Sequence, residues 1–312
     1  MTRARQPARR PRDPRTVAVL FDIDGTLLDM RGAGRRSFVR TLERVFGWKD
    51  DIAYVNFAGN TDLNVLLQVA RKHRRRLGPS DLRRFFARLP VELRQTAAET
   101  RLRIYPGVRR LLQRLSADPR VVLGLVTGNV EASARVKLEQ FDLHNHFVLG
   151  AFGDDHADRA RIARLALRRV RRHVGRGCRV GDCFLIGDTP LDISAAHRIG
   201  ATAVAVATGK FSVADLRAAG EDHVLSNLSR TAAVLRVLGL SGAVARDLRA
   251  GVAALRPPRP DETDGGGARP PGARRGQVVR RACRDGPRHQ DGPLPPVHSN
   301  VNMRIPSAPR LC

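Results

Sequence analysis

Lysine is nearly missing from this 312-residue chain: Lys49, Lys72, Lys137 and Lys210 are the only four among 56 Lys+Arg. The formal net charge is +26. A surface selected for phosphate contacts draws on both cations, so the skew to arginine reads as a coding bias. Specific nucleic-acid binding is not expected, although weak, salt-sensitive adhesion to polyanions is. Aromatics are scarce, at 4%, while 42% of residues are hydrophobic, within the range of a globular chain. No apolar stretch approaches the roughly 20 residues of a membrane span. The four cysteines, Cys178, Cys183, Cys283 and Cys312, form no CxxC pair, which excludes a zinc cluster of ordinary spacing. Cys178 and Cys183 read as small core residues, and reduced thiols point to the cytoplasm. Val17 to Phe21 runs straight into acidic residues, so no secretory signal is read.

What is present is an alternation of buried strands and amphipathic helices. Residues 1–15 are rich in Pro and Arg and read as a disordered basic arm. Val17 to Phe21 reads as a buried parallel strand that ends at Asp22-Ile23-Asp24-Gly25-Thr26. Residues 32–104 show apolar residues at helical spacing, as in Phe38, Leu42, Val45 and Phe46, and no strand-like alternation. They form a helical insert after the first strand. Val121 to Val126 is a second buried strand, ending in Thr127-Gly128-Asn129. Further strands are expected at 147–152, 183–186 and 201–207, with helices near 108–115, 131–141, 159–174 and 194–199. The pattern predicts a Rossmann-like, doubly wound parallel sheet with an inserted α-helical cap. The core spans 16–31 and 105–240, and the cap spans 32–104. Residues 241–312, rich in Arg, Pro and Gly, read as a disordered tail.

In a doubly wound sheet the carboxyl ends of neighbouring strands meet, and ligands bind there. The first strand brings Asp22 and Asp24, which point the same way at i and i+2. The second brings Thr127 and Asn129, and the fourth brings Asp188 and Asp192. Carboxylates crowded this way need a cation, and hard oxygen ligands suit Mg²⁺. Asp22 is then placed to attack phosphorus, and Asp24 to protonate a leaving alcohol and later deprotonate water. Such acid–base help is worth about 10²–10⁴ in rate. The Thr127 hydroxyl and the backbone N–H groups at Gly25-Thr26 and Gly128-Asn129 are candidates to bind the phosphoryl oxygens.

These motifs, in this order and each after an expected strand, resemble the haloacid dehalogenase superfamily, in its phosphoglycolate-phosphatase-like branch with a small helical cap. The resemblance implies a phosphatase that hydrolyses a small phosphorylated metabolite through an aspartyl-phosphate. It implies Asp22 as nucleophile and metal ligand, and Asp24 as acid/base with its carbonyl on the metal. It also implies Thr127 on phosphate, Asp188 on the metal, and Asp192 as a supporting ligand or as an acid standing behind the ligands. One departure stands out. The family places a lysine after the third strand, where this chain has Asp158-Arg159-Ala160-Arg161. Lys137 and Arg159 are the rivals for that role, and Lys137 is favoured because a compact ammonium suits a point contact. Two other functions stay open. One is a phosphomutase or other phosphotransferase on the same fold. The other is a non-enzymatic polyanion or partner binder acting through the Arg-rich tail.

Overall fold

The strand Val17–Phe21 (β1) is apolar at all five positions and buried at every one. A strand of this kind satisfies its backbone only in the middle of a sheet covered on both faces. The computed structural model describes residues 16–175 and 182–241. In it β1 lies between two parallel neighbours, Val121–Val126 (β4) and Cys183–Gly187 (β6). Beyond β4 lies Leu149–Ala151 (β5). Beyond β6 lie Thr202–Val206 (β7) and His223–Leu225 (β8). The order β5-β4-β1-β6-β7-β8 is parallel throughout. The chain builds outward from β1 to β5 on one side, then returns to lay β6, β7 and β8 on the other. The reversal leaves a crevice at the carboxyl ends of β1, β4 and β6.

The side-chain period of two feeds β1 into two cores. Val17, Val19 and Phe21 join one cluster, with Val108, Leu111, Leu112 and Leu115 of the helix Val108–Ser116 (α4). Ala18 and Leu20 join the other, with Ile162, Ala163, Ala166 and Leu167 of Arg159–Val174 (α6). Cys183 is buried in that second cluster. The remaining core helices are Glu131–Glu139 (α5), Pro190–Arg198 (α7), Val213–Ala218 (α8) and Thr231–Val237 (α9).

Between β1 and α4 come three helices, Ala33–Phe46 (α1), Asp62–Lys72 (α2) and Pro79–Ala98 (α3). They have an apolar cluster of their own, built on Phe38, Leu42, Leu66, Val69 and Phe85, with the Phe38 and Phe85 rings 4.9 Å apart. All described residues fall within one compact unit, Met1–Arg256.

Several elements differ from the sequence expectation. Leu28–Asp29 (β2) and Arg103–Ile104 (β3) pair antiparallel, stitching the exit of the insert to its return. Strand character was not expected at Arg103–Ile104, because two residues are too few to show a period. β8 was also unread, since His223–Leu225 is short and carries one polar residue in three. The expected strand 147–152 shortens to Leu149–Ala151, and the helix expected at 194–199 begins earlier, at Pro190. Residues 1–15, Cys178, and the tail from 242 with Cys283 and Cys312 lie outside the described residues. Among the described residues no helix is long and apolar enough to cross a membrane.

Candidate active site

Asp22 follows β1 directly, and its backbone N–H donates to the Ile186 carbonyl at 2.9 Å, carrying the pairing with β6 one residue further. The chain then turns sharply at Gly25, whose φ is 81°. A Cβ there would sit 2.2 Å from Asp188 Oδ2, so both the backbone and the space require glycine. The turn brings the Thr26 hydroxyl to donate to Asp188 Oδ1 at 3.1 Å.

Asp188 follows β6, and α7 starts just after it with a capping box. Asp192 Oδ2 accepts from the Thr189 N–H at 3.1 Å and hydroxyl at 2.7 Å, and Thr189 Oγ1 accepts in turn from the Asp192 N–H. Asp192 Oδ1 accepts from Arg159 Nε at 2.7 Å. Both oxygens of Asp192 therefore already hold protein donors.

One oxygen each from Asp22, Asp188 and Asp192 lies within 4.8 Å of the others, and all three residues are buried. Burial pushes the Asp22 carboxyl up to about 6, against the pull of Arg159, and the charges of Asp192 and Asp24 add to the rise. Burial pushes Asp188 up to about 8, with Asp22 and Asp192 adding repulsion. A packed group of oxygen donors that resists holding its charges unaided is a fitting place for a hard divalent cation. Asp22 and Asp188 fit that role better than Asp192, whose oxygens are taken.

The two rival cations are both buried, and each meets a different aspartate. Arg159, the first residue of α6, places Nη2 2.9 Å from Asp22 Oδ1. Lys137, on α5, donates Nζ to Asp24 Oδ1 at 2.8 Å and Oδ2 at 2.6 Å. Both rivals reach the cavity, and it is Arg159 that lies beside Asp22 while Lys137 lies beside Asp24. An arginine can hold Asp22 and Asp192 together with its fork, which a point-charge ammonium does less well. Asn129 links this pair to the strand end, with Nδ2 2.7 Å from both Asp24 Oδ2 and Thr127 Oγ1.

This division predicts unequal variants. Arg159→Ala leaves two buried carboxylates facing each other and is expected to cost about 3–5 kcal/mol of stability as well as most activity. Lys137→Ala strips a carboxylate that is 43% exposed and is expected to melt close to the wild type with a smaller loss in kcat. Thermal melts and steady-state kinetics on the two variants check this. Equal, mild losses would refute both assignments.

A cavity of about 420 Å³ opens over these residues. Asp22, Asp24, Gly25, Thr127, Gly128, Asn129, Lys137, Arg159 and Asp188 all line it, while Thr26 and Asp192 stand behind. The helical insert closes the far side with Phe38, Phe57, Val65, Leu89 and Leu93. The loop Ala58 to Asp62 reaches down onto the core. The Asp62 N–H donates to the Gly128 carbonyl at 2.8 Å, and the Thr61 hydroxyl to the Ala157 carbonyl at 3.0 Å. A Cβ on Gly128 would lie 1.9 Å from the Asn60 carbonyl oxygen, so glycine is what admits the loop. Thr61 also serves as the N-cap of α2, accepting from the Asn64 N–H.

Some residues at the site were not anticipated. The Thr208 hydroxyl bonds the Gly25 carbonyl, and the backbone at Gly209 lies so close to Asp188 that a Cβ would reach within 1.7 Å of its Oδ2. The signal was available, because Thr208-Gly209 follows a buried strand as Thr127-Gly128 does. Ser133 also lines the cavity.

A parallel sheet with an acidic cluster at its switch point and a helical insert above it defines a Rossmann-like α/β hydrolase. The chain belongs to the haloacid dehalogenase-like hydrolases, whose family model matches residues 19–206. Among solved structures, it is similar to a hydrolase from Pseudomonas syringae, with a TM-score of 0.53, 20% identity, and coverage of 71% of this chain and 98% of that one. It is also similar to CbbY from Rhodobacter sphaeroides in complex with phosphate, at 0.54 and 19%, covering 69% of this chain and 96% of that one. A third is a predicted phosphoglycolate phosphatase from Haemophilus somnus, at 0.52 and 18%, covering 73% and 99%. At these identities the likeness is one of fold. No curated protein matches the chain.

Proposed function

We propose that this hydrolase is a cytoplasmic, Mg²⁺-dependent phosphatase that cleaves the phosphate monoester of a small metabolite through an aspartyl-phosphate at Asp22. The observation that carries the reading is the division of labour between two aspartates from one strand end. Asp22 is buried in the acidic cluster, whereas Asp24 stands outside that cluster, half-exposed on the cavity. On this reading the first attacks phosphorus and the second moves protons.

Asp22 and Asp188, with the Asp24 carbonyl, would hold the cation, which offsets repulsion between the carboxylate and an anionic phosphate. Asp192 supports the set through Arg159. In the first step an Asp22 oxygen bonds phosphorus, the bond to the leaving oxygen breaks, and Asp24 gives that oxygen a proton. In the second step Asp24 takes a proton from water as the water oxygen attacks phosphorus, releasing inorganic phosphate and restoring Asp22. Thr127, with N–H groups at Gly25-Thr26 and Gly128-Asn129, takes up the charge spread over the phosphoryl oxygens. The insert shields the reaction from bulk water.

Two of the similar structures agree with this reading by what they are described as: a predicted phosphoglycolate phosphatase and a protein solved with phosphate. The test is a panel of phosphate monoesters assayed with millimolar Mg²⁺ and again with chelator. Phosphate release from some esters that disappears with chelator is the expected result. Activity that is indifferent to chelator counts against the cation, and transfer to a sugar acceptor in place of water would move the assignment to a phosphomutase.

A further inference from the structure

The cavity's cations are almost all committed to the protein. Lys137 is held by Asp24, and Arg159 by Asp22 and Asp192. Arg35 donates to the Ile52 and Val55 carbonyls and lies over the Phe57 ring at 4.6 Å. Arg31 is half-exposed and pairs with Asp29 at 3.8 Å. Lys210 is exposed and follows Gly209, on the Asp188 flank of the mouth. Among the described residues, the chamber's buried cations, Lys137 and Arg159, already face carboxylates, and the half-buried Arg35 spends donors on two backbone carbonyls.

A second anionic group on the substrate would meet a carboxylate there. Asp62 lines the chamber, and its Oδ2 accepts from the Val130 N–H at 2.9 Å. Its other oxygen has no protein donor among the described residues. Burial raises Asp62 to about 6, with Lys137 and the Val130 N–H pulling it down, so it is mostly charged at neutral pH. Nearby, the Ser133 hydroxyl lines the same cavity, buried and without a partner. The carboxylate oxygen left unbonded calls for a donor that carries no negative charge, and the buried hydroxyl can bond the same group. Phe57, Val65 and Leu93 offer an apolar wall for the other face of such a group.

We propose that Asp62, with Ser133, selects a leaving group that is neutral and hydroxylated, of the sugar or polyol class, against one bearing a carboxylate or second phosphate. The inference rests on the phosphatase reading. Asp62 accepts a hydrogen bond from a hydroxyl of the leaving group and repels an anionic group in its place, so a single residue supplies both the attraction and the rejection.

The experiment measures kcat/KM on the full chain with Mg²⁺ for glucose 6-phosphate, ribose 5-phosphate, 2-phosphoglycolate and 3-phosphoglycerate, with p-nitrophenyl phosphate as a general ester. The wild type is expected to favour the sugar esters by roughly tenfold to a hundredfold. Asp62→Asn keeps an acceptor for the Val130 N–H but removes the charge. It is expected to lose on sugar esters and gain on 2-phosphoglycolate, lowering the ratio by at least about tenfold. Ser133→Ala, which leaves the Val130 contact alone, is expected to lose more on sugar esters than on 2-phosphoglycolate. Equal losses on both sets would make Asp62 a structural strap and overturn the proposal. So would a wild-type preference for the carboxylate esters, or cleavage of p-nitrophenyl phosphate alone. If p-nitrophenyl phosphate also resists cleavage, the phosphatase reading itself fails and this inference goes with it.

Discussion

Asp22→Asn is expected to lower turnover by roughly 10⁴–10⁶-fold, the scale on which removal of a covalent nucleophile is felt. The amide keeps the shape of the carboxylate and the backbone N–H bond to Ile186, but it offers no anionic oxygen to phosphorus. The fold should survive. Burial already disfavours the charge at this position, and Arg159 retains Asp192 as a partner. Thermal melts in chelator are expected to show the variant no less stable than the wild type. Turnover within tenfold of wild type would remove Asp22 from the role of nucleophile. Loss of both turnover and the melting transition would show that the substitution tested folding instead of chemistry.

The second large effect is the coupling of stability to pH and to the cation. Asp22 at about 6 and Asp188 at about 8 both sit above the ordinary aspartate value of 3.8. The folded chain therefore binds these protons more tightly than the unfolded chain. Their contribution is most favourable below about 4 and is lost as pH rises through about 6 and then 8. A divalent cation takes the place of those protons, so its stabilisation grows in the same direction. With Mg²⁺ at a hundred times its Kd the gain is about 2.7 kcal/mol. For a chain of this size that is a rise in Tm of roughly 5–10 °C. The shift is expected to be larger at pH 8 than at pH 5. Asp188→Asn should flatten both the pH slope and the Mg²⁺ response, separating this site from carboxyl groups elsewhere. A wild-type Tm at pH 8 that ignores millimolar Mg²⁺ would count against a cation at Asp22 and Asp188.

Much of the architecture was legible because its causes are local. A run such as Val17 to Phe21 has one stable destination, the middle of a covered parallel sheet, and the helix Arg159–Val174 announces its buried face by its own period. The acidic motifs could be placed for the same reason: each follows a recognisable strand, and parallel strands bring their carboxyl ends to one edge. Elements too short to show a period, β2, β3 and β8, left no such trace.

The sequence by itself determined the sheet, the insertion of helices after β1, and the set of polar residues delivered to the crevice. Tertiary structure decided which of them touch. Lys137 reaches Asp24 across 113 residues of sequence, and Val130 finds Asp62 across 68. Arg159, not Lys137, meets Asp22, and Asp192 spends its oxygens on Thr189 and Arg159. The physical reason is that strand and helix formation follows from periodicity within one segment. Side-chain pairing across the crevice depends instead on rotamers and on how far each helix is carried over the sheet, and these are fixed only when the whole core packs.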